Sequence, residues 1–158
     1  MTTVYVPTAK INMGPMGFFL YSEDFLAAYH AYSPTAPFSP AKCYLVCRSL
    51  ELSLKAFLSS QGKTVRDIKK EIGHDLGSAL DSAKDLGILN AVGISAEDER
   101  EIRKANEWYQ FKRLEYFAIQ NLQDVWNKDT PNLQALAAIA EQLIGHLEPI
   151  CRASALQP

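Results

Sequence analysis

One stretch constrains the fold of this chain more than any other: Cys43-Tyr44-Leu45-Val46-Cys47-Arg48-Ser49-Leu50-Glu51-Leu52-Ser53-Leu54-Lys55-Ala56-Phe57-Leu58. It holds neither glycine nor proline, and its apolar residues are too frequent for a helix with one wet face. Its three charges, Arg48, Glu51 and Lys55, fall within an arc of about 60° at ~100° per residue. Leucine and cysteine flank the arc on both sides. The pattern predicts a long apolar helix whose polar stripe is not ordinary solvated surface but faces a groove or a subunit interface. A plainer reading is a chain of ion pairs at i,i+3 and i,i+4 along one helix face.

The other segments place helices around this one. From Phe18, apolar residues recur at 18, 21, 25, 28, 29 and 32, predicting a helix that Ser33-Pro34-Thr35-Ala36-Pro37 ends. Ser39 and Pro40 supply a cap and a first-turn proline for the second helix, which runs to about Ser60. A short charged segment, Lys63 to Glu71, follows. Asp75 caps a third helix that Gly87 stops. Ser95-Ala96-Glu97-Asp98 resembles a capping box and opens the longest predicted helix, to about Asn127. Thr130-Pro131 opens the last, with Leu133, Leu136, Ala137, Ala140, Leu143, Ile144 and Leu147 on its buried face. Residues 1–17, with Gly14, Pro15 and Gly17, read as irregular. With almost no strand signal, no repeat and no linker, residues 1–158 form one all-α domain, an up-and-down bundle of about five helices.

Bulk properties narrow the function. An apolar fraction of 47% and a charged fraction of 22% fit an ordinary globular chain. A net charge of −2 provides no global field for a polyanion or an anionic membrane. No apolar run reaches the ~18 residues of a membrane span, and no signal peptide is visible. Three cysteines make no disulfide framework and suit a reducing cytoplasm. His30, His74 and His146 stand on separate elements, so neither a metal site nor a cofactor motif emerges.

The residues able to carry chemistry are few. Arg48, Glu51 and Lys55 could meet a phosphate or an acidic partner. His74, in Gly73-His74-Asp75-Leu76, could move a proton or hold an anion, or its imidazole could tether the turn. Tyr109, Arg113 and Tyr116 share a helix face, where a guanidinium between two rings could take a phosphate and a base. The competing reading makes these rings core, with Arg113 reaching along them to the surface. These seven residues are the ligand-binding candidates, and none is assigned a catalytic role.

Glu51 and Lys55 on one helix, then Gly62, then Gly73-His74-Asp75-Leu76, then Ala83 and Gly87, resemble the HEPN superfamily, the higher eukaryote and prokaryote nucleotide-binding domain. The similarity spans about residues 40–90, with the remaining helices matching by order and length. It implies a four- or five-helix bundle and a homodimer. It also implies a place in toxin–antitoxin, defence or RNA-processing systems, with an antitoxin or nucleotidyltransferase-type partner protein. The active branch of that family cleaves RNA without metal, using an arginine and a following histidine with four to six residues between them. Here His30 has no preceding arginine, and seven residues separate Arg66 from His74. The resemblance therefore implies a non-catalytic module binding a nucleotide, RNA or partner protein. A divergent metal-independent ribonuclease, with His74 as acid/base and Arg48 or Arg113 stabilising phosphate charge, is the alternative.

Overall fold

The computed structural model describes residues 14–36, 38–110 and 130–155. These form seven helices and no strand: α1 (Pro15–Ala31), α2 (Pro40–Ser60), α3 (Val65–Glu71), α4 (Leu76–Asp85), α5 (Ile88–Val92), α6 (Ala96–Tyr109) and α7 (Leu133–Ala155). The chain is all-α. Each of the five expected helices has a counterpart, and two short ones, α3 and α5, join them. The charged run after Gly62 is helical because Thr64 accepts from the Asp67 amide at 3.2 Å, capping α3. Helix α5 lies between Gly87 and Gly93, whose φ values of 85° and 79° suit glycine at each turn.

Helix α2 is the axis of the molecule. Every residue from Ser49 to Leu58 is buried, including the three polar ones between the leucines. Its start follows the sequence logic, with the Ser39 side chain accepting from the Lys42 amide at 3.2 Å and Pro40 in the first turn. Helix α1 forms the largest interface with it. The two run antiparallel, since Lys42 Nζ donates to the Tyr32 carbonyl at 2.9 Å while Ser49 Oγ donates to the Ser22 carbonyl at 2.8 Å. Helix α7 packs on both α1 and α2. Leu50, Leu54, Leu58, Phe19, Leu136, Ile139 and Leu143 are among the side chains that fill the shared core.

Three details depart from the expectations. Helix α1 begins at Pro15 and buries Phe18, Phe19, Ser22, Leu26 and Tyr29, whereas Tyr21, Ala28 and Tyr32 are exposed. The small Ser22 facing Ser49 is the reason: it lets α1 approach α2 on a face that hydropathy alone passes over. Helix α6 ends at Tyr109, because Gln110 is extended (φ −62°, ψ 149°). The predicted helix beyond that point, with Arg113 and Tyr116, lies outside the described residues. Helix α7 starts at Leu133, two residues later than Thr130-Pro131 implies. Asn132 Oδ1 accepts from the amides of Gln134 and Ala135, both at 3.1 Å, and so caps it.

Antiparallel pairing of α4 and α6 completes the frame. Leu76, Asp81 and Lys84 in ascending order meet Asn106, Arg103 and Glu99 in descending order. The Ser95–Asp98 capping box forms as the sequence predicts, with Asp98 amide to Ser95 Oγ at 3.2 Å and Ser95 amide to Asp98 Oδ2 at 2.9 Å.

Candidate functional site

Glu51 is the centre of the site and has no solvent exposure at all. A carboxylate so placed must be satisfied by charge and by hydrogen bonds. Four side chains do this. Lys55 Nζ, one turn along α2, donates to Glu51 Oε1 and also to the Gly73 carbonyl. The Tyr109 hydroxyl, at the end of α6, donates to Oε2. Arg48 Nη1 donates to Oε1 at 2.9 Å. His74 Nδ1 stands 3.2 Å from the same oxygen.

The predicted stripe therefore faces the interior of its own chain, against the 73–75 turn and α6. Burial pushes the Glu51 carboxyl up. The charge and hydrogen bond of Lys55, the Tyr109 hydroxyl and the charge of Arg48 outweigh that, holding it below 4.5. Tyr109 moves the opposite way. Burial first, then the adjacent Glu51 charge and the bond to it, raise the phenol well above its ordinary range. At neutral pH the pair is a carboxylate and a neutral phenol.

Two polar groups remain accessible at the rim. The Arg48 side chain is 23% exposed and that of His74 75% exposed. Arg48 Nη1 lies 3.1 Å from His74 Nδ1. Arginine only donates and a carboxylate only accepts, so Nδ1 either accepts from Arg48 or donates to Glu51. Either way the ring is held by its Nδ1 edge. The guanidinium also sits 5.9 Å above the Phe25 ring, which fixes its plane.

The turn carrying His74 is itself anchored. Gly73 has φ 58°, a left-handed conformation that glycine adopts at little cost. Asp75 caps α4, accepting from the Ser78 amide at 3.1 Å, and also accepts from Asn106 Nδ2 at 3.0 Å and Gln110 Nε2 at 2.9 Å. Burial raises its carboxyl, but the hydrogen bonds from Ser78, Asn106 and the Gly77 amide together lower it. Asn106 Oδ1 returns a bond, accepting from the Leu76 amide at 3.0 Å. Gly77 leaves the space for this exchange: a Cβ there would lie 3.1 Å from Asn106 Nδ2 and 3.2 Å from Asp75 Oδ1.

Of the seven candidate residues, Arg48, Glu51, Lys55, His74 and Tyr109 converge here, and Arg113 and Tyr116 lie outside the described residues. Sequence reasoning missed Asn106 and Gln110, whose i,i+4 amides flank Tyr109 and hold the Asp75 cap. It also missed Tyr44 and Phe25, which flank Arg48; Tyr44 is readable as its i−4 neighbour, while Phe25 comes from another helix. Cys43, Cys47 and Cys151 are buried free thiols. Burial raises the Cys151 thiol to about 11, which makes it inert. Among the described residues, no group of three or more histidine, cysteine or acidic side chains is placed to hold a metal, and no helix is long and apolar enough to cross a membrane.

No family model matches the chain, and neither a curated protein nor a solved structure is significantly similar to it.

Proposed function

We propose that this is a HEPN-like, non-catalytic binding module whose Arg48 and His74 hold the phosphate of a nucleotide. The observation that carries the reading is the division of labour around Glu51. Lys55 and Tyr109 are committed to its buried carboxylate, while Arg48 and His74 keep polar edges at the surface, 3.1 Å apart. A guanidinium with a fixed plane suits the forked geometry of a phosphate. A net charge of −2 favours a small anion over a long polyanion, which draws its affinity from many phosphate contacts. Kinship to HEPN proteins, a homodimer and an antitoxin or nucleotidyltransferase-type partner belong to the same proposal.

Calorimetric titration with inorganic phosphate and with AMP tests it. Wild type binds both, and Arg48→Gln weakens both by at least about tenfold, the scale of one charge-assisted hydrogen bond. Absence of binding by folded wild type refutes the reading.

A second reading, a metal-independent ribonuclease, draws on the same contact. A histidine within hydrogen-bond reach of an arginine is the minimum for proton transfer beside a charge-stabilised phosphate. Under it, wild type cleaves RNA in the presence of EDTA, and His74→Ala and Arg48→Gln each abolish cleavage. That outcome would replace the binding module with an enzyme.

A further inference from the structure

Between the end of α1 and the start of α2, with Tyr44 in its wall one helical turn before Arg48, runs an open groove of about 820 Å³. Its walls include Ala28, Tyr32, Pro40, Tyr44 and Leu45. The volume is within the roughly 300–1,000 Å³ of small-molecule sites. Its lining is mostly apolar and aromatic and includes Tyr32 and Tyr44, 43% and 36% exposed. The Ser39 hydroxyl in the wall is already spent as the cap of α2. A groove of this chemistry takes a flat uncharged ring.

Tyr44 joins the groove to the cationic rim. Its ring is 5.7 Å from that of Tyr109 and 6.5 Å, edge-on, from that of Phe25, the ring under the Arg48 guanidinium. Tyr44 and Arg48 are one turn apart on α2, a rise of about 6 Å.

We infer that the groove is the base-binding half of the site: a free mononucleotide lays its base against Tyr44 and Tyr32 and its phosphate on Arg48 and His74. The inference rests on the phosphate-binding reading above and adds four residues to it, Ala28, Tyr32, Tyr44 and Leu45. The occupant is a mononucleotide because one apolar groove is linked through Tyr44 and Phe25 to one cationic pair, and the chain as a whole carries net negative charge.

The test is titration of inorganic phosphate, adenosine and AMP into wild type, Ala28→Trp, Tyr32→Ala and Arg48→Gln. Ala28 and Tyr32 are exposed, so neither change disturbs the core, and circular dichroism verifies the fold. Ala28→Trp, which fills the groove, and Tyr32→Ala, which removes one ring, each weaken AMP by about tenfold, the scale of one stacked base. Both leave phosphate affinity at the wild-type value, whereas Arg48→Gln weakens phosphate and AMP alike. Unchanged AMP affinity in both groove variants, with the Arg48→Gln loss retained, overturns this inference and leaves the phosphate reading standing. Failure of wild type to bind phosphate or AMP overturns both. Binding of an RNA oligonucleotide without binding of AMP overturns the mononucleotide assignment.

Discussion

Replacing Lys55 with methionine isolates the energetics of the buried network. Lys55 is 6% exposed and Glu51 is fully buried, so the change removes a cation from beside a carboxylate that water cannot reach. Methionine keeps most of the side-chain volume, which limits any cavity cost. Glu51 retains Arg48 at 2.9 Å and the Tyr109 hydroxyl, but the Gly73 carbonyl loses its donor. Breaking one partner from a buried pair costs about 3–5 kcal/mol, and the two surviving donors put this case near 3 kcal/mol. For a chain of this length that lowers Tm by roughly 6–12 °C.

The pH dependence separates this cause from simple loss of packing. Glu51 titrates below 4.5 in the folded protein, so its contribution is complete above about 4.5 and is lost as pH falls through the lower folded value. In Lys55→Met the cation that lowers it is gone and burial pushes the carboxyl up. Acidification then protonates Glu51 at small cost in the variant while it removes stability from wild type. The gap between the two proteins therefore shrinks from about pH 7 to about pH 4. Urea unfolding followed by far-UV circular dichroism at both pH values measures it. A gap under ~1 kcal/mol at neutral pH, or one that is the same at both pH values, refutes the argument.

Two further perturbations test neighbouring parts of the frame. Tyr109→Phe removes the hydroxyl from Glu51 and costs about 1.5–3 kcal/mol at neutral pH, as for a hydrogen bond to a charged group. The folded phenol titrates above its ordinary 10, so its contribution is complete below about pH 10 and lost as pH rises toward the folded value; this alkaline loss is smaller in the variant by urea unfolding. Gly77→Ala and Gly145→Ala have opposite signs in thermal unfolding. Gly145 has open space and stabilises by about 0.5–1 kcal/mol, whereas the Gly77 methyl, 3.1 Å from Asn106, costs about 1–3 kcal/mol against the same helix preference.

What was legible in the sequence follows the range over which each signal acts. The all-α class and the caps at Ser39, Asp75 and Ser95 are local signals: a side chain bonding an amide three residues on, or an apolar period within one helix. The stripe of Arg48, Glu51 and Lys55 was also local, and so were the residues of the 73–76 turn. Which surface the stripe faces was not, because that depends on Gly73 and Tyr109, far along the chain. The buried face of α1 is not legible from hydropathy, because Ser22 is small rather than apolar. The end of α6 at Tyr109 has no breaker in the sequence; there Tyr109 reaches Glu51 and Gln110 reaches Asp75, ties that no helical period encodes.

The cost of burying Glu51 bears on the proposed role. A leucine in its place would avoid the desolvation of a carboxylate, and α2 has leucine at 50, 52 and 54 already. What the carboxylate provides instead is orientation. It holds the ends of two other elements, the 73–75 turn through Lys55 and His74 and the end of α6 through Tyr109, and it accepts a hydrogen bond from Arg48. Arg48 and His74 then meet with their edges already aligned, so a phosphate arriving there does not bear the entropy of assembling them. On this argument Glu51 is a positioning residue rather than a ligand contact. Glu51→Gln, which keeps the shape but loses the charge, weakens phosphate binding even though its side chain never reaches solvent.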